Sequence, residues 1–158
     1  MGGTNRQYVL FRIGTEEYGL PISKVSSIIR YEPATPVPRA PESVDGVINL
    51  RGRVIPLVNL GHRLFGTAFE PTSHARIVVA EAEGGPVGLA VDAANEVATV
   101  PISEVMPAPT SALTAEVTEA FEGVIRHDDR LVILLDLDRA LPRSAYETAT
   151  GETNGGDI

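Results

Sequence analysis

Short runs of β-branched and aliphatic residues recur along the chain, separated by clusters of glycine, proline, serine and charged residues. Runs of this kind, bounded by turn residues, predict β-strands. Residues 8–13 and 18–22 flank a polar turn, and residues 44–50 and 53–60 flank Arg51-Gly52, where glycine supplies the positive φ of a tight hairpin. No long amphipathic helix separates the strands, so the pattern favours antiparallel barrels over a βαβ sheet.

The chain also contains two similar units. The segment GVINLRGRVIPLVNLGHRL, which starts at Gly46, reappears as GVIRHDDRLVILLDLDRAL, which starts at Gly123. Upstream, residues 8–29 align with residues 77–98. The two units therefore share one order of elements, and each is too small to bury a comfortable core by itself. Duplication predicts two small β-units that pack together and leave a seam where a partner could bind.

The boundaries follow from this alignment and from composition. We expect a first subdomain over about residues 8–66 and a second over about residues 76–142, and an exchange of strands between them remains open. Residues 1–7 form an N-terminal tail, and residues 143–158 lose apolar content and are expected to be a flexible tail.

Three serine and aspartate residues are expected to cap short helical turns. Ser23 would cap a turn that places Val25, Ile28 and Ile29 on one face, at positions i, i+3 and i+4. Ser103 and Asp138 are the expected caps of two further turns. Such an apolar stripe usually packs in a core, but here it lies near the expected seam and could form part of an open binding groove.

Composition narrows the classes of partner. The net charge is −8 and the thirteen basic residues are scattered, which disfavours nucleic acid and anionic membrane surfaces. Apolar runs are too short to cross a bilayer and no signal peptide is visible, so we expect a cytoplasmic protein without membrane insertion. No cysteine is present, so a disulfide framework and thiolate metal sites are excluded.

No arrangement of side chains resembles an active site. His62, His74 and His127 lack metal-ligand spacing, and no nucleophile elbow accompanies them. Asp136 and Asp138 could bind Mg²⁺ through carboxylate oxygens, so a small metal-dependent hydrolase that also uses His127 is a remote alternative. We expect no catalytic residue, no bound metal and no cofactor.

Arg51 is the most informative single residue. A guanidinium at a hairpin apex should be exposed, where an ion pair would contribute only about 0–1 kcal/mol to stability. At a protein interface, however, its planar set of donors can fix the register of a partner. This difference favours a binding role.

The tetrapeptide Asn49-Leu50-Arg51-Gly52, followed by RVIPLVNL, resembles the CheW family of chemotaxis coupling proteins. The resemblance extends from about Tyr8 to Leu141 and includes TPVPRAPESVDGVINLRG and FEGVIRHDDRLVILLDLDRAL. It implies two five-stranded SH3-like barrels packed together, with short helical turns. It also implies a non-catalytic adaptor that joins the cytoplasmic tips of chemoreceptors to the regulatory domain of the histidine kinase CheA within membrane-associated receptor arrays.

The resemblance also implies the binding residues. Arg51 matches the family's coupling arginine, with Asn49 and Leu50 in the same motif, and Val25 and Gly46 match its functional surface. The seam would receive a receptor helix through Val25, Ile28, Ile29 and Val44.

One position departs from the family pattern. Ser27 stands where many members have a glutamate that pairs with the coupling arginine, although Glu32 could substitute for it and the second unit keeps Glu96 at the equivalent position. Either Arg51 is freer to engage a partner or the surface is specialised. A CheW-like scaffold in another pathway, such as surface motility or development, is the alternative.

Overall fold

The computed structural model describes residues 4–108 and 119–142, and within them the fold is almost entirely β. Two 3₁₀ turns, Ile22–Lys24 and Ile102–Glu104, join the strands to their neighbours, and two short helices follow the β4–β5 and β9–β10 hairpins. The elements are β1 Asn5–Ile13, β2 Glu16–Pro21, β3 Val25–Arg30, β4 Val44–Leu50, β5 Arg53–Asn59, α1 Leu60–Phe65, β6 Arg76–Ala82, β7 Gly85–Val91, β8 Ala93–Pro101, β9 Phe121–His127, β10 Arg130–Leu135 and α2 Leu137–Ala140.

The strands form two five-stranded sheets, and each sheet takes strands from both sequence units. Sheet I has the order β8-β1-β2-β10-β9, and sheet II has the order β3-β6-β7-β5-β4. The opening hairpin of each unit therefore pairs with the closing strands of the other. Parallel pairing of β2 with β10 and of β5 with β7 makes these connections. The prediction of a mainly β chain with two packed β-units and few helices is confirmed.

Three hydrophobic clusters fill the molecule. One lies within sheet I and includes Tyr8, Leu10 and Ile125, and a second lies within sheet II and includes Ile55 and Ile77. The largest cluster draws residues from both sheets and both helices. Most of the seam is therefore a shared core, which explains how two small units reach a stable size together.

The duplication extends to the irregular contacts at the edges of the sheets. An isolated bridge from Thr35 covers β4 at Val47, and an isolated bridge from Met106 covers β9 at Val124. Each bridge lies beside a glycine, and no other residue would fit there. A Cβ at Gly46 would stand 2.0 Å from the Thr35 carbonyl oxygen, and a Cβ at Gly123 would stand 2.8 Å from the Met106 carbonyl oxygen. These glycines let an irregular segment protect an edge strand that would otherwise be open.

The hairpin turns have the backbone conformation that their sequences predict. Arg51 and Gly52 have φ of 56° and 87°, and Asp128 and Asp129 have φ of 52° and 63° at the equivalent turn. Two successive residues with positive φ are typical of a type I′ turn, whose twist matches that of the flanking strands. The geometry is kept while the charge changes from basic to acidic.

The predicted helical turn at Val25, Ile28 and Ile29 is wrong. These residues belong to β3, which pairs with β6 so that Ile28 lies opposite Val78 and Ile29 opposite Ile77. Only Ile22–Lys24 forms a turn of 3₁₀ helix, and its N-cap is Pro21 rather than Ser23. Long-range pairing of β-branched residues thus overrides a short helical periodicity.

Two other capping predictions are also wrong. Pro101 precedes the turn that Ser103 was expected to cap, and no side chain caps it. Asp136, not Asp138, caps α2, where its Oδ1 accepts a hydrogen bond of 3.2 Å from the Arg139 amide. Asp138 instead accepts a hydrogen bond from the Glu83 amide in the β6–β7 turn.

A network of charged side chains ties four strands of sheet I together. Glu96 on β8 accepts a hydrogen bond from Arg130 at 3.3 Å, and its other oxygen lies 2.9 Å from His127 Nε2. Arg130 also pairs with Glu17 on β2. The hydrogen bond with His127 is the main reason why the pKa of Glu96 lies below its ordinary value, and Arg130 adds to the effect.

Replacing Gly46 by alanine should destabilise the fold strongly, because the new methyl would collide with the Thr35 carbonyl and the backbone φ of +146° is strained for any L-residue. We expect a loss of about 3 kcal/mol or more in the free energy of unfolding, measured by urea denaturation. Gly52→Ala is the control, since no atom lies within 4 Å of its Cβ position and only backbone strain of about 1–2 kcal/mol remains. Equal losses in the two variants would contradict the close-approach explanation.

Glu96→Gln should reduce stability at neutral pH but not in acid. A carboxyl group with a lowered folded pKa stabilises the fold above its ordinary pKa of 4.5, and this contribution disappears as the pH falls through the folded value. Because the network is partly exposed, the difference at neutral pH should be below about 1 kcal/mol. Urea unfolding at pH 7 and pH 3 measures it, and in an Arg130→Gln background it should shrink. If the difference in stability between the wild type and Glu96→Gln were larger at pH 3 than at pH 7, the lowered pKa of Glu96 would be contradicted.

Candidate functional site

Arg51 lies at the apex of the β4–β5 hairpin with its side chain exposed. The Asn49 side chain fixes the turn, because its Oδ1 accepts a hydrogen bond of 3.0 Å from the Gly52 amide. Leu50 is partly buried and packs against the cluster inside sheet II, which anchors the base of the turn. In the motif Asn49-Leu50-Arg51-Gly52, the arginine side chain is thus exposed, and the other three residues determine the backbone conformation of the turn.

The cation of this turn is not neutralised within the described part of the chain. Neither Arg51 nor the adjacent Arg53 makes an ion pair with any residue of 4–108 or 119–142. Glu32 therefore does not replace the missing glutamate. In the second unit the equivalents of Ser27 and Arg53 are Glu96 and Arg130, which do form an ion pair. The first unit has lost the acidic member of that pair.

The predicted apolar trio does not share one face. Ile28 is 38% exposed, whereas Ile29 packs partly buried against the cluster in sheet II and Val25 packs against the shared core. Alternation along β3 explains the division, since successive side chains point to opposite faces of a strand. Ile28 is the member of the trio best placed to meet a partner.

Val44 and Gly46 lie beneath the surface. Val44 is buried in the shared core, and Gly46 is buried under the backbone of Thr35 and Pro36. Their effect on a binding surface would therefore come from the shape of β4 rather than from direct side-chain contact.

Sequence reasoning did not identify three further exposed apolar residues. Val97 on β8 occupies the position equivalent to that of Ile28 in the second unit, and Val54 and Leu131 occupy equivalent positions on β5 and β10. All three residues are between 49% and 59% exposed. The alignment of the two units held this signal, because an apolar residue recurs at each of these positions.

One open part of the seam is a pocket of about 500 Å³, which we call the seam pocket. It lies between the β1–β2 turn of sheet I and the end of α1 and β7 of sheet II, and none of the predicted site residues lines it. Tyr18, Phe65 and Phe69 supply its aromatic surface, and burial is the main reason why the pKa of Tyr18 is raised. Phe69 is an aromatic residue within the mostly polar stretch that connects the two units, which was the available signal.

One cluster of side chains could offer ligands to a cation. Atoms of Glu96, His127 and Asp128 lie within 4.8 Å of one another. However, Glu96 already pairs with both His127 and Arg130, and the guanidinium adds a positive charge beside the group. Asp136 and Asp138 both hold backbone amides, so the arrangement proposed for a metal-dependent hydrolase is not assembled.

Comparison with known proteins identifies the family. A family model described as a CheW-like domain matches residues 7–145. A chemotaxis protein CheW from Rhizobium meliloti (strain 1021) is 40% identical over 144 residues, which cover 91% of this chain and 92% of the relative. The more distant protein FrzA from Myxococcus xanthus is 26% identical over 121 residues, covering 77% and 74% of the two chains.

A solved structure supports the same relationship. The crystal structure of the scaffolding protein TtCheW from Thermoanaerobacter tengcongensis superposes with a TM-score of 0.76 at 31% identity, over 85% of this chain and 86% of that one. No helix among the described residues is long and apolar enough to span a membrane. From its sequence, its two-sheet fold and these relatives, the chain belongs to the CheW-like family of non-catalytic chemotaxis scaffolds.

Proposed function

We propose that this chain couples the cytoplasmic tips of chemoreceptors to the regulatory domain of the histidine kinase CheA, at membrane-associated receptor arrays. Membership of a family of chemotaxis scaffolds supports the pathway. The observation that carries the proposal is the exposed Arg51 at the hairpin apex, where the Asn49 side chain braces the turn and no residue of 4–108 or 119–142 forms an ion pair with the guanidinium. The chain acts by binding, and the chemistry of signalling belongs to the kinase.

The Arg51 turn is suited to recognise an acidic or carbonyl-rich surface. A guanidinium offers five N–H donors in a fixed plane. The turn fixes the backbone of Arg51, so little conformational entropy is lost on binding. Arg53 adds a second positive charge, and Ser27 contributes no carboxylate to offset either. The surface therefore presents more positive charge than its counterpart in the second unit, where Glu96 and two aspartates surround Arg130.

Apolar contact accompanies this charge. Ile28 on β3 and Val54 on β5 are exposed in the same sheet as the Arg51 turn. Interfaces commonly combine apolar anchors with an arginine that fixes register. We assign receptor or kinase contact to Arg51 and Ile28, with Val25, Ile29, Val44, Gly46, Asn49 and Leu50 shaping the surface from below.

Single contacts need not be strong for such an adaptor. A standard interface buries roughly 800 Å² on each partner. In an array many copies are held together, so a high effective concentration replaces high affinity at each contact. A modest loss of affinity at one interface should therefore cause a larger loss in the assembly of the array.

A related scaffold role outside chemotaxis is a second candidate. The similarity to the protein FrzA, and serine at position 27, favour it. Binding of purified chain to receptor tips from chemotaxis clusters and to receptor tips from other signalling clusters distinguishes the two, since only the proposed role requires preference for the former.

Arg51→Glu should weaken binding to receptor tips or to CheA by about tenfold or more, as for an interfacial arginine hot spot. Co-sedimentation with receptor fragments and CheA measures the effect. The thermal midpoint should not change, because the side chain is exposed and forms no ion pair with the described part of the chain. Arg126→Glu makes the same charge change on exposed β9 and is the control. Wild-type assembly by the Arg51 variant would remove this residue from the site.

Ser27→Glu tests whether the basic character of the turn matters. By analogy with Glu96 and Arg130, the new carboxylate should reach Arg53 or Arg51 and lower affinity for the partner that Arg51 binds, by several-fold. Ser23→Glu, on the exposed 3₁₀ turn, is the matched control. Tighter binding by Ser27→Glu, with the control unchanged, would mean that the partner needs an acid here.

A further inference from the structure

The seam pocket is a preformed cavity rather than a gap between loosely held segments. The Gly14 amide donates a hydrogen bond of 2.6 Å to Asp92 Oδ2, and the Asp92 amide donates one of 2.9 Å to the Arg12 carbonyl. These bonds fasten the β1–β2 turn to Asp92, the residue that joins β7 of sheet II to β8 of sheet I. The opposite wall is fixed by α1, whose first turn is capped by Asn59 and whose last turn ends at the left-handed Gly66.

Phe65 gives the pocket an aromatic surface that the rest of the fold leaves partly open. Phe65 is 42% exposed at the end of α1, and its ring centroid lies 6.1 Å from that of Tyr18. Phe69 also lines the pocket, but it packs partly buried against the cluster in sheet II and contacts Tyr31. An exposed phenylalanine beside a well-formed apolar cavity is typical of a site that takes up apolar groups.

Charge at the pocket has one sign. Among the described residues, Glu16 and Asp92 are the charged side chains that line it, and no lysine, arginine or histidine of 4–108 or 119–142 does so. Aromatic faces also attract cations. An apolar group flanked by positive charge is therefore favoured, and an acidic ligand is opposed.

The pocket and the Arg51 turn lie at opposite ends of β5. Arg53 starts this strand beside the turn, and Asn59 ends it in the pocket wall. Six steps of about 3.3 Å along the strand, from Arg53 to Asn59, separate them by about 20 Å. The two sites share no residue and have opposite charge, so partners of opposite charge could occupy them together.

We propose that the seam pocket is a second docking site, which receives one or two apolar side chains of a partner protein segment that also carries lysine or arginine. A volume of about 500 Å³ exceeds that of a single side chain and suits neighbouring anchors of one segment. The proposal concerns a surface separate from that of Arg51 and does not depend on which receptors or kinase the chain couples.

Synthetic peptides test the proposal on the intact chain. The probes are a short peptide of alternating lysine and leucine, a glutamate–leucine counterpart and a lysine–serine counterpart. We expect only the first to shift the backbone amide resonances of Thr15, Thr67 and Phe69. Ala68→Trp, which fills the pocket from an exposed position, and Glu16→Lys, which reverses a charge at its rim, should each weaken binding by about tenfold.

Controls separate this site from the proposed function. Arg51→Glu should bind the lysine–leucine peptide as the wild type does, whatever its effect on receptor or kinase assembly. Glu104→Lys makes the same charge change as Glu16→Lys outside the pocket and should leave binding unchanged.

Four results would overturn the proposal. The first is no binding of the lysine–leucine peptide at millimolar concentration, and the second is equal binding of the glutamate–leucine peptide. The third is binding that survives both Ala68→Trp and Glu16→Lys. If 4-phenylbutylamine alone bound as tightly as the peptide, the pocket would be a small-molecule site and a protein segment would not be its occupant.

Discussion

The structure depends on the exchange of hairpins between its two units. Because β2 pairs with β10 and β5 pairs with β7, neither sheet can be completed without strands from both halves of the chain. The residues that these pairs bring together form the largest hydrophobic cluster, so the sheets and the shared core should form cooperatively. This constraint gives a small β-protein a rigid frame from which hairpin turns and a seam can be presented to partners.

The consequences for binding follow from how the copies have diverged. The scaffold positions are kept, down to the glycines under the edge bridges and the left-handed turns. The exposed positions differ in charge, with Arg51 and Gly52 in one unit and two aspartates in the other. A duplicated frame with unlike surfaces is a simple way to give one chain two different contacts, and it requires no active site.

The sequence was sufficient for those features that depend on local chemistry or on the repeat itself. Gly52 and the flanking strands predicted the β4–β5 hairpin and the exposure of Arg51, and the aligned copy predicted β9–β10. Strand exchange could not be deduced, because the partners of β2 and β7 lie far along the chain and parallel pairs leave no turn between them. Residues 143–158, expected to be a flexible tail, lie outside the described residues, and the family model matches 143–145 among them.

The errors at the candidate site have the same origin. Val25, Ile28 and Ile29 fit a helical spacing, but pairing with β6 makes them a strand and leaves only Ile28 clearly exposed. The seam pocket combines three segments that are distant in sequence, so no local pattern could reveal it. Its aromatic residues were visible only as apolar positions in otherwise polar stretches.

The central claim, that this chain acts by linking two partners, is tested most directly by CheA autophosphorylation with receptor fragments and increasing amounts of the chain. The account predicts a change in kinase rate that requires receptor, chain and kinase together and saturates at a fixed ratio of chain to kinase. The same change without receptors, or a change produced by trace amounts of the chain, would contradict it.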